Sequence, residues 1–167
     1  MVIGAFGTVS AVKGIVFGIA AALLLVAPAA AATITEPSDS HFPYQRWADE
    51  ARVPTPELTV EVFEAPYDVC GGGATACTAE HRVWFDSRYF GTESTRGVFA
   101  HELGHIFDEE RSTIASRHLF RHLTDSRLPW FEADLMAPGE QFAQHYRWCM
   151  LGRPQRVGVV CELIRSM

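Results

Sequence analysis

The segment 97–110, GVFAHELGHIFDEE, constrains the fold more than any other part of the sequence. Side chains on an α-helix advance by about 100° per residue, so His101 and His105 share one face, about 40° apart. Four apolar side chains lie on the other side, at about 140° to 240° from His101: Phe99, Leu103, Ile106 and Phe107. The segment therefore predicts a helix over 94–110 with an apolar back against a sheet and a histidine-bearing front.

The H-E-x-x-H spacing within this helix predicts a Zn²⁺ site. Two imidazoles one turn apart can each present a nitrogen to the same ion at about 2.0 Å. Glu102 lies about 100° round the helix, which is unsuitable for a third ligand but suitable for a general base beside a metal-bound water. We expect Gly104, which has no side chain, to leave space for a cleft here. His101 and His105 are thus candidate ligands, and Glu102 is the candidate catalytic residue.

A second helix is predicted over residues 138–150, because Pro138 suits a first helical turn. Glu140 and Gln144 share one face of this helix. Its opposite face carries larger side chains that can anchor it to a core: Phe142, Tyr146 and Cys149.

At this point two segments together resemble a known family. His101-Glu-Leu-Gly-His105 followed by Glu140-Gln-Phe-Ala-Gln144 is similar to the gluzincin-type, thermolysin-like zinc metallopeptidases, particularly their small secreted members. The resemblance covers mainly residues 81–150. It implies that His101, His105 and Glu140 bind Zn²⁺, and that Glu102 acts as base and proton shuttle. A metzincin site would need Gly at position 108 and His or Asp at 111, where this chain has Asp108 and Arg111.

The chain departs from the family pattern beside the predicted metal. Family members commonly carry Asp or Glu four residues after the ligand glutamate, where it accepts a hydrogen bond from a zinc-bound histidine. This chain has Gln144 there, whose amide oxygen can still orient His101 but lacks the negative charge that strengthens the imidazole as a donor. Asp108 is a candidate to compensate for that charge.

The resemblance implies an exported zinc-dependent peptidase that hydrolyses peptide bonds in peptide or protein substrates, with a metal-bound water activated by Glu102. It also implies that the strand around residues 83–85 binds an extended peptide by edge pairing. Family members add a Tyr, His or Arg that stabilises the oxyanion, and four residues are available for this role: His122, His145, Tyr146 and Arg147. Two alternatives stay open, a non-catalytic zinc-stabilised binding module and a zinc amidase acting on cell-wall peptides.

The remaining elements indicate an α+β fold, because strands come first and most helices follow. Strands are predicted over 58–64 and 81–87, separated by a glycine-rich loop from Cys70 to Cys77 that is unsuited to regular structure. Further helices are predicted over three segments: 46–52, 113–123 and 157–166. With the resemblance, this gives a small zincin-like domain whose short N-terminal sheet packs on the H-E-x-x-H helix and on a second, glutamate-bearing helix.

The N-terminus reads as an export signal. Residues 1–32 contain one charge, Lys13, an apolar run and a small-residue ending typical of signal peptidase sites. An uncleaved membrane anchor in the same residues is the alternative, and it is the only membrane contact that we expect. We predict a flexible lead-in over 33–45 and one zincin-like metallopeptidase domain over 46–167.

The four cysteines all follow the predicted signal, which favours disulfides and a secreted or extracytoplasmic location. Three pairings are possible, and we favour Cys70 with Cys77 and Cys149 with Cys161 because each closes a short loop. A four-cysteine zinc site is disfavoured, since close C-x-x-C pairs are missing. The net charge of −6 argues against a nucleic-acid partner. We expect a monomer.

Overall fold

The computed structural model describes residues 31–132, 134, 136–153 and 158–167. These residues form a mixed α+β fold with one four-stranded sheet and five helices. The strands are β1 (Thr33–Thr35), β2 (Thr59–Ala65), β3 (Ala76–Ala79) and β4 (Arg82–Asp86). The helices are α1 (Tyr44–Asp49), α2 (Thr92–Arg111), α3 (Ile114–Thr124), α4 (Pro138–Met150) and α5 (Gly158–Arg165).

The sheet has the strand order β1-β2-β4-β3. β1 pairs with β2 and β2 pairs with β4 in parallel, whereas β3 runs antiparallel to β4. β4 is therefore an interior strand, and β3 forms one edge of the sheet. The prediction that the strand around residues 83–85 offers a free edge is wrong, because both sides of that strand are already paired.

Alternation along the strands creates one buried face of the sheet, as a period of two requires. Four side chains on that face are almost fully buried: Val60, Val62, Val83 and Phe85. The predicted apolar back of α2 is confirmed, since none of its four side chains is more than 1% exposed. Tyr44 of α1 joins the two layers, with its ring centroid 5.3 Å from that of Phe85 and 5.1 Å from that of Phe99.

Two predicted irregular segments contain regular structure. Residues 33–35, assigned to a flexible lead-in, form β1, whose backbone pairs with β2. Ala32, assigned to the signal peptide, is fully buried and donates its N–H to Thr55 Oγ1 at 2.7 Å. β3 begins inside the glycine-rich loop, at Ala76, because pairing with β4 satisfies its backbone groups. The rest of the predicted signal, residues 1–30, lies outside the described residues.

Gly104 allows α2 and α4 to approach each other closely. A Cβ at this position would lie only 2.8 Å from Ala143 Cα and 3.0 Å from Tyr146 Cβ. The expectation that Gly104 opens a cleft is therefore wrong, because its missing side chain is replaced by the backbone of α4. The close approach joins the helix that carries the histidines to the helix that carries Glu140.

Both predicted disulfides are confirmed. Cys70–Cys77 closes the glycine-rich loop, and Cys149–Cys161 links α4 to α5. Disulfides are typical of an oxidising, extracytoplasmic environment. Within the described ranges, no helix is both long and apolar enough to span a bilayer.

Candidate metal centre

The imidazoles of His101 and His105 meet on the polar face of α2. Their Nε2 atoms are 3.2 Å apart, and the ring planes are nearly perpendicular, at 84°. Both side chains are only partly buried, with 21% and 25% of their surface exposed. The two rings therefore present nitrogen atoms to one common, accessible point.

Glu140 completes a group of three with these histidines. Pro138 begins α4 without needing a partner for a backbone N–H, and this puts Glu140 in the first turn, where the helix dipole favours an acid. Its Oε2 lies 3.2 Å from His101 Nε2, and its Oε1 lies 3.4 Å from His105 Nε2. One ligand atom from each residue lies within 4.8 Å of the others, so the group can hold a metal ion.

The electrostatics of this group favour a positive charge at its centre. Hydrogen bonds from His101 and then His105 hold the pKa of Glu140 far below its usual range, although burial acts in the other direction. Burial lowers the pKa of His105, but the hydrogen bond to Glu140 and the charges of Glu102, Glu140 and Asp108 outweigh it, so the net pKa is raised. A cation between the three side chains is therefore stabilised.

Glu102 is buried beside this group and is held by a residue that the sequence analysis missed. Glu102 is only 6% exposed, and its Oε2 accepts a hydrogen bond from Thr78 Oγ1 at 2.5 Å. Thr78 lies on β3 and pairs with Val83, so it points to the face of the sheet that α2 covers. The sequence signal for Thr78 was weak, because β3 has only four residues, Ala76–Ala79, and directly follows the glycine-rich stretch.

The candidate residues line one open cavity of about 660 Å³. Edge strand β3 and the residues just before it, 74–78, form one wall. Trp130, Phe131 and Glu132 form another. His101, Glu102, His105 and Glu140 all border the space between, so the cavity is large enough to admit a segment of another molecule.

Asp108 also borders the cavity, but its hydrogen bonds go to the wall and none goes to the described histidines. It is 3% exposed, accepts hydrogen bonds from Arg117 Nε and Nη2, both at 3.1 Å, and accepts another from Trp130 Nε1 at 2.8 Å. The guanidinium of Arg117 also lies over the Trp130 ring. Asp108 thus fixes the position of Trp130, and its negative charge is already paired with Arg117.

Gln144 borders the cavity without making the contact predicted for it. Among the described residues, its side chain forms no hydrogen bond with His101 or with any other group. The structure therefore brings together His101, Glu102, His105 and Glu140, while Gln144 lies nearby and unattached.

Of the four candidates for stabilising an oxyanion, only Arg147 borders the cavity that contains Glu102. Tyr146 is fully buried and donates its hydroxyl to Pro54 O at 2.8 Å. His145 Nδ1 lies 2.6 Å from Gln141 O, and His122 is exposed on α3. Burial, followed by the charge of Arg153, lowers the pKa of Arg147.

Comparison of this chain with protein-family models, with curated proteins and with solved structures finds no match.

Proposed function

We propose that this chain is an exported zinc-dependent peptidase with a zincin-like site of the gluzincin type. The observation that carries the proposal is the convergence of His101, His105 and Glu140 on one point, with the buried carboxylate of Glu102 in the same cavity. Two imidazoles and one carboxylate are a donor set that catalytic zinc sites use. The two disulfides support an extracytoplasmic location.

The distances between the candidate ligand atoms suit zinc. An ion about 2.0 to 2.1 Å from each ligand with tetrahedral angles requires ligand atoms about 3.3 Å apart. The two Nε2 atoms match this separation, at 3.2 Å. Glu140 approaches His101 Nε2 through Oε2 at 3.2 Å and His105 Nε2 through Oε1 at 3.4 Å, and with one oxygen of Glu140 the three ligand atoms lie within 4.8 Å of one another. When zinc is bound by these three residues, it supplies a Lewis acid that makes water a better nucleophile near neutral pH.

Glu102 is the residue that we assign to proton transfer. Its Oε2 is occupied by the hydrogen bond from Thr78, and its Oε1 has no hydrogen-bond partner among the described residues. We infer that Oε1 takes a proton from the attacking water and delivers it to the leaving amine. The low exposure of Glu102 strengthens its interaction with charges that develop in the cavity.

Edge strand β3 supports a peptide as the substrate. Among the described strands it pairs with β4 alone, and its residues Ala76 to Thr78 border the cavity. An extended peptide can add to such an edge through backbone hydrogen bonds, which work with many different sequences. β3 therefore replaces the strand around residues 83–85 as the expected site of edge pairing.

The test compares the wild type with Glu102→Gln and with the matched control Glu162→Gln, which removes an exposed carboxylate on α5 that does not border the cavity. We expect about one zinc per chain in all three proteins. Glu102→Gln should lower the cleavage of a mixed peptide library by about 100-fold or more, as expected for the loss of a general base. Cleavage by Glu102→Gln at the wild-type rate, or a chain that holds no zinc, contradicts the proposal.

A non-catalytic zinc-stabilised binding module is the second candidate, and it is favoured by Gln144, whose side chain has no hydrogen bond to another described residue. Without an acceptor on a histidine, the imidazole is a weaker donor to zinc and the metal is less well tuned for catalysis. This candidate predicts that a chelator lowers the melting temperature while no peptide is cut. Metal-dependent cleavage of any peptide excludes it.

A further inference from the structure

Arg147 lies against α2 at a position where that helix has no side chain. A Cβ built on Gly97 would be 2.5 Å from Arg147 Nη2 and 2.9 Å from its Cζ, so the guanidinium occupies the space above Gly97. Arg147 is half-buried and borders the same cavity as His101 and Glu102. Gly97 precedes His101 by one helical turn, a distance of about 6 Å along the axis.

The guanidinium of Arg147 has no partner in the part of the chain that the structure describes, where it makes neither a hydrogen bond nor an ion pair. The other ionisable groups of the cavity are differently placed. Glu102 is bonded to Thr78, Glu140 to the two histidines, and Asp108 to Arg117. A planar guanidinium that borders a cavity and has unused donors matches the geometry of a carboxylate.

The charge of the side chains that border the cavity also changes sign along α2. Arg147, above Gly97, is the one Lys or Arg among the described residues that line the cavity. Glu109 and Glu132 also border the cavity, and their carboxylates have no partner among the described residues. Glu109 follows His101 by about two helical turns, and Gly97 precedes it by one. A bound chain with an acidic group is therefore favoured in one direction and disfavoured in the reverse direction.

We propose that Arg147 binds a carboxylate of the peptide and thereby selects substrates with an acidic group on one side of the scissile bond. This inference rests on the proposed function, because it takes a peptide as the occupant of the cavity. The spacing of about 6 Å between Gly97 and His101 corresponds to about two residues of an extended chain. The carboxylate belongs to an Asp or Glu side chain near the scissile bond, or to the C-terminus of a short peptide.

The experiment measures binding separately from cleavage. Glu102→Gln protein loaded with zinc is immobilised and equilibrated with three matched peptide libraries, and the retained peptides are quantified by mass spectrometry. The first library has Glu at one internal position and an amidated C-terminus; the second has Gln and the same amide. The third has Gln and a free C-terminal carboxylate. The same measurement is made with the double variant that carries both Glu102→Gln and Arg147→Gln.

We expect the Glu library to be retained about 10-fold more than the Gln amide library, as for a hydrogen bond to a charged group. Arg147→Gln should abolish this preference, whereas Arg46→Gln, an exposed arginine on α1, should preserve it. If the free-carboxylate library is preferred instead, the same guanidinium recognises the chain end. Gly97→Ala, which pushes the guanidinium from its position, should weaken the preference without removing the charge.

Equal retention of the three libraries, or a preference that survives Arg147→Gln, overturns the inference. An equal loss of all three libraries on Arg147→Gln also overturns it, because it indicates general peptide contact. Arg147→Lys, which keeps the charge but not the planar fork, decides the matter if Arg147→Gln does not fold. If the wild type cleaves peptides but shows no preference for an acidic group, the proposed function stands and this inference is wrong. If the protein prefers an acidic group but the wild type cleaves no peptide, only the proposed function is contradicted.

Discussion

Thr78 on edge strand β3 donates a hydrogen bond of 2.5 Å to Glu102 on α2, across a separation of 24 residues in the sequence. The bond joins the wall on which a peptide can lie to the carboxylate that we assign to proton transfer. It leaves Oε1 of Glu102 as the oxygen without a partner among the described residues. Thr78 is thus a positioning residue, because it acts on the chemistry through Glu102.

Replacement of Thr78 by Val should lower kcat by about 10-fold to 100-fold, since a hydrogen bond to a charged group contributes about 1.5–3 kcal/mol. KM and zinc content should change little, because Thr78 is not one of the candidate ligands. Steady-state kinetics with a cleaved library peptide measures the effect. Thr75→Val, the same substitution elsewhere on this wall, is the matched control. A full-rate Thr78→Val protein shows that Glu102 needs no such support.

Replacement of Glu140 by Ala should lower the affinity for zinc by more than about 100-fold, because loss of a ligand exceeds the 10- to 100-fold effect typical of groups that only support a ligand. Competition with a chromogenic chelator measures this affinity. Gln144→Ala is the control on the same helix, and it should retain zinc because Gln144 has no hydrogen bond to His101 in the described structure. Tight zinc binding by Glu140→Ala removes Glu140 from the ligand set.

Zinc affinity should fall as the pH decreases, and the fall should begin above pH 6.5. Zinc binds neutral imidazole, so it must displace the proton from His105. The pKa of His105 in the metal-free protein is raised above 6.5, where burial is outweighed by Glu140 and the neighbouring acids. Below that pKa, one released proton lowers the apparent affinity by about 10-fold per pH unit. Chelator competition between pH 8 and pH 5.5 measures it, and an affinity that stays constant down to pH 6 is inconsistent with the raised pKa.

Replacement of Gly104 by Ala should lower the free energy of unfolding by about 1–3 kcal/mol, the usual effect of excess volume in a packed interface. The new Cβ would meet the backbone of Ala143 at 2.8 Å, so α2 and α4 must separate. Because the candidate ligands lie on both helices, zinc affinity should fall as well. Chemical denaturation and zinc competition measure the two effects. Gly158→Ala, where a Cβ meets nothing within 4 Å, should be close to neutral.

Local patterns predicted the individual elements well. The apolar stripe of α2, the proline at the start of α4 and the alternation in β2 and β4 each specify an element through interactions within a few residues. The two disulfides were also predicted correctly, because each pairing closes a short loop. These predictions succeeded because periodicity and chain connectivity are properties of the sequence itself.

Predictions that depended on distant neighbours were less successful. Three features depend on segments far apart in the chain: the position of β3 at the sheet edge, the contact of Gly104 with Ala143, and the lack of a hydrogen bond from Gln144 to His101 in the described structure. The same holds for the burial of Ala32 beneath Thr55. A single side chain carries no information about which remote backbone will fill the space beside it.

The sequence by itself determined that His101 and His105 share one helical face and that Glu102 lies beside them. Helical geometry fixes the relative directions of side chains that are one or four residues apart. Only the tertiary structure decided that Glu140 closes on these histidines, that Thr78 holds Glu102 and that Arg147 lies over Gly97. The reason is that these contacts depend on the packing of α4 and β3 against α2, which long-range burial of apolar side chains and backbone pairing set together.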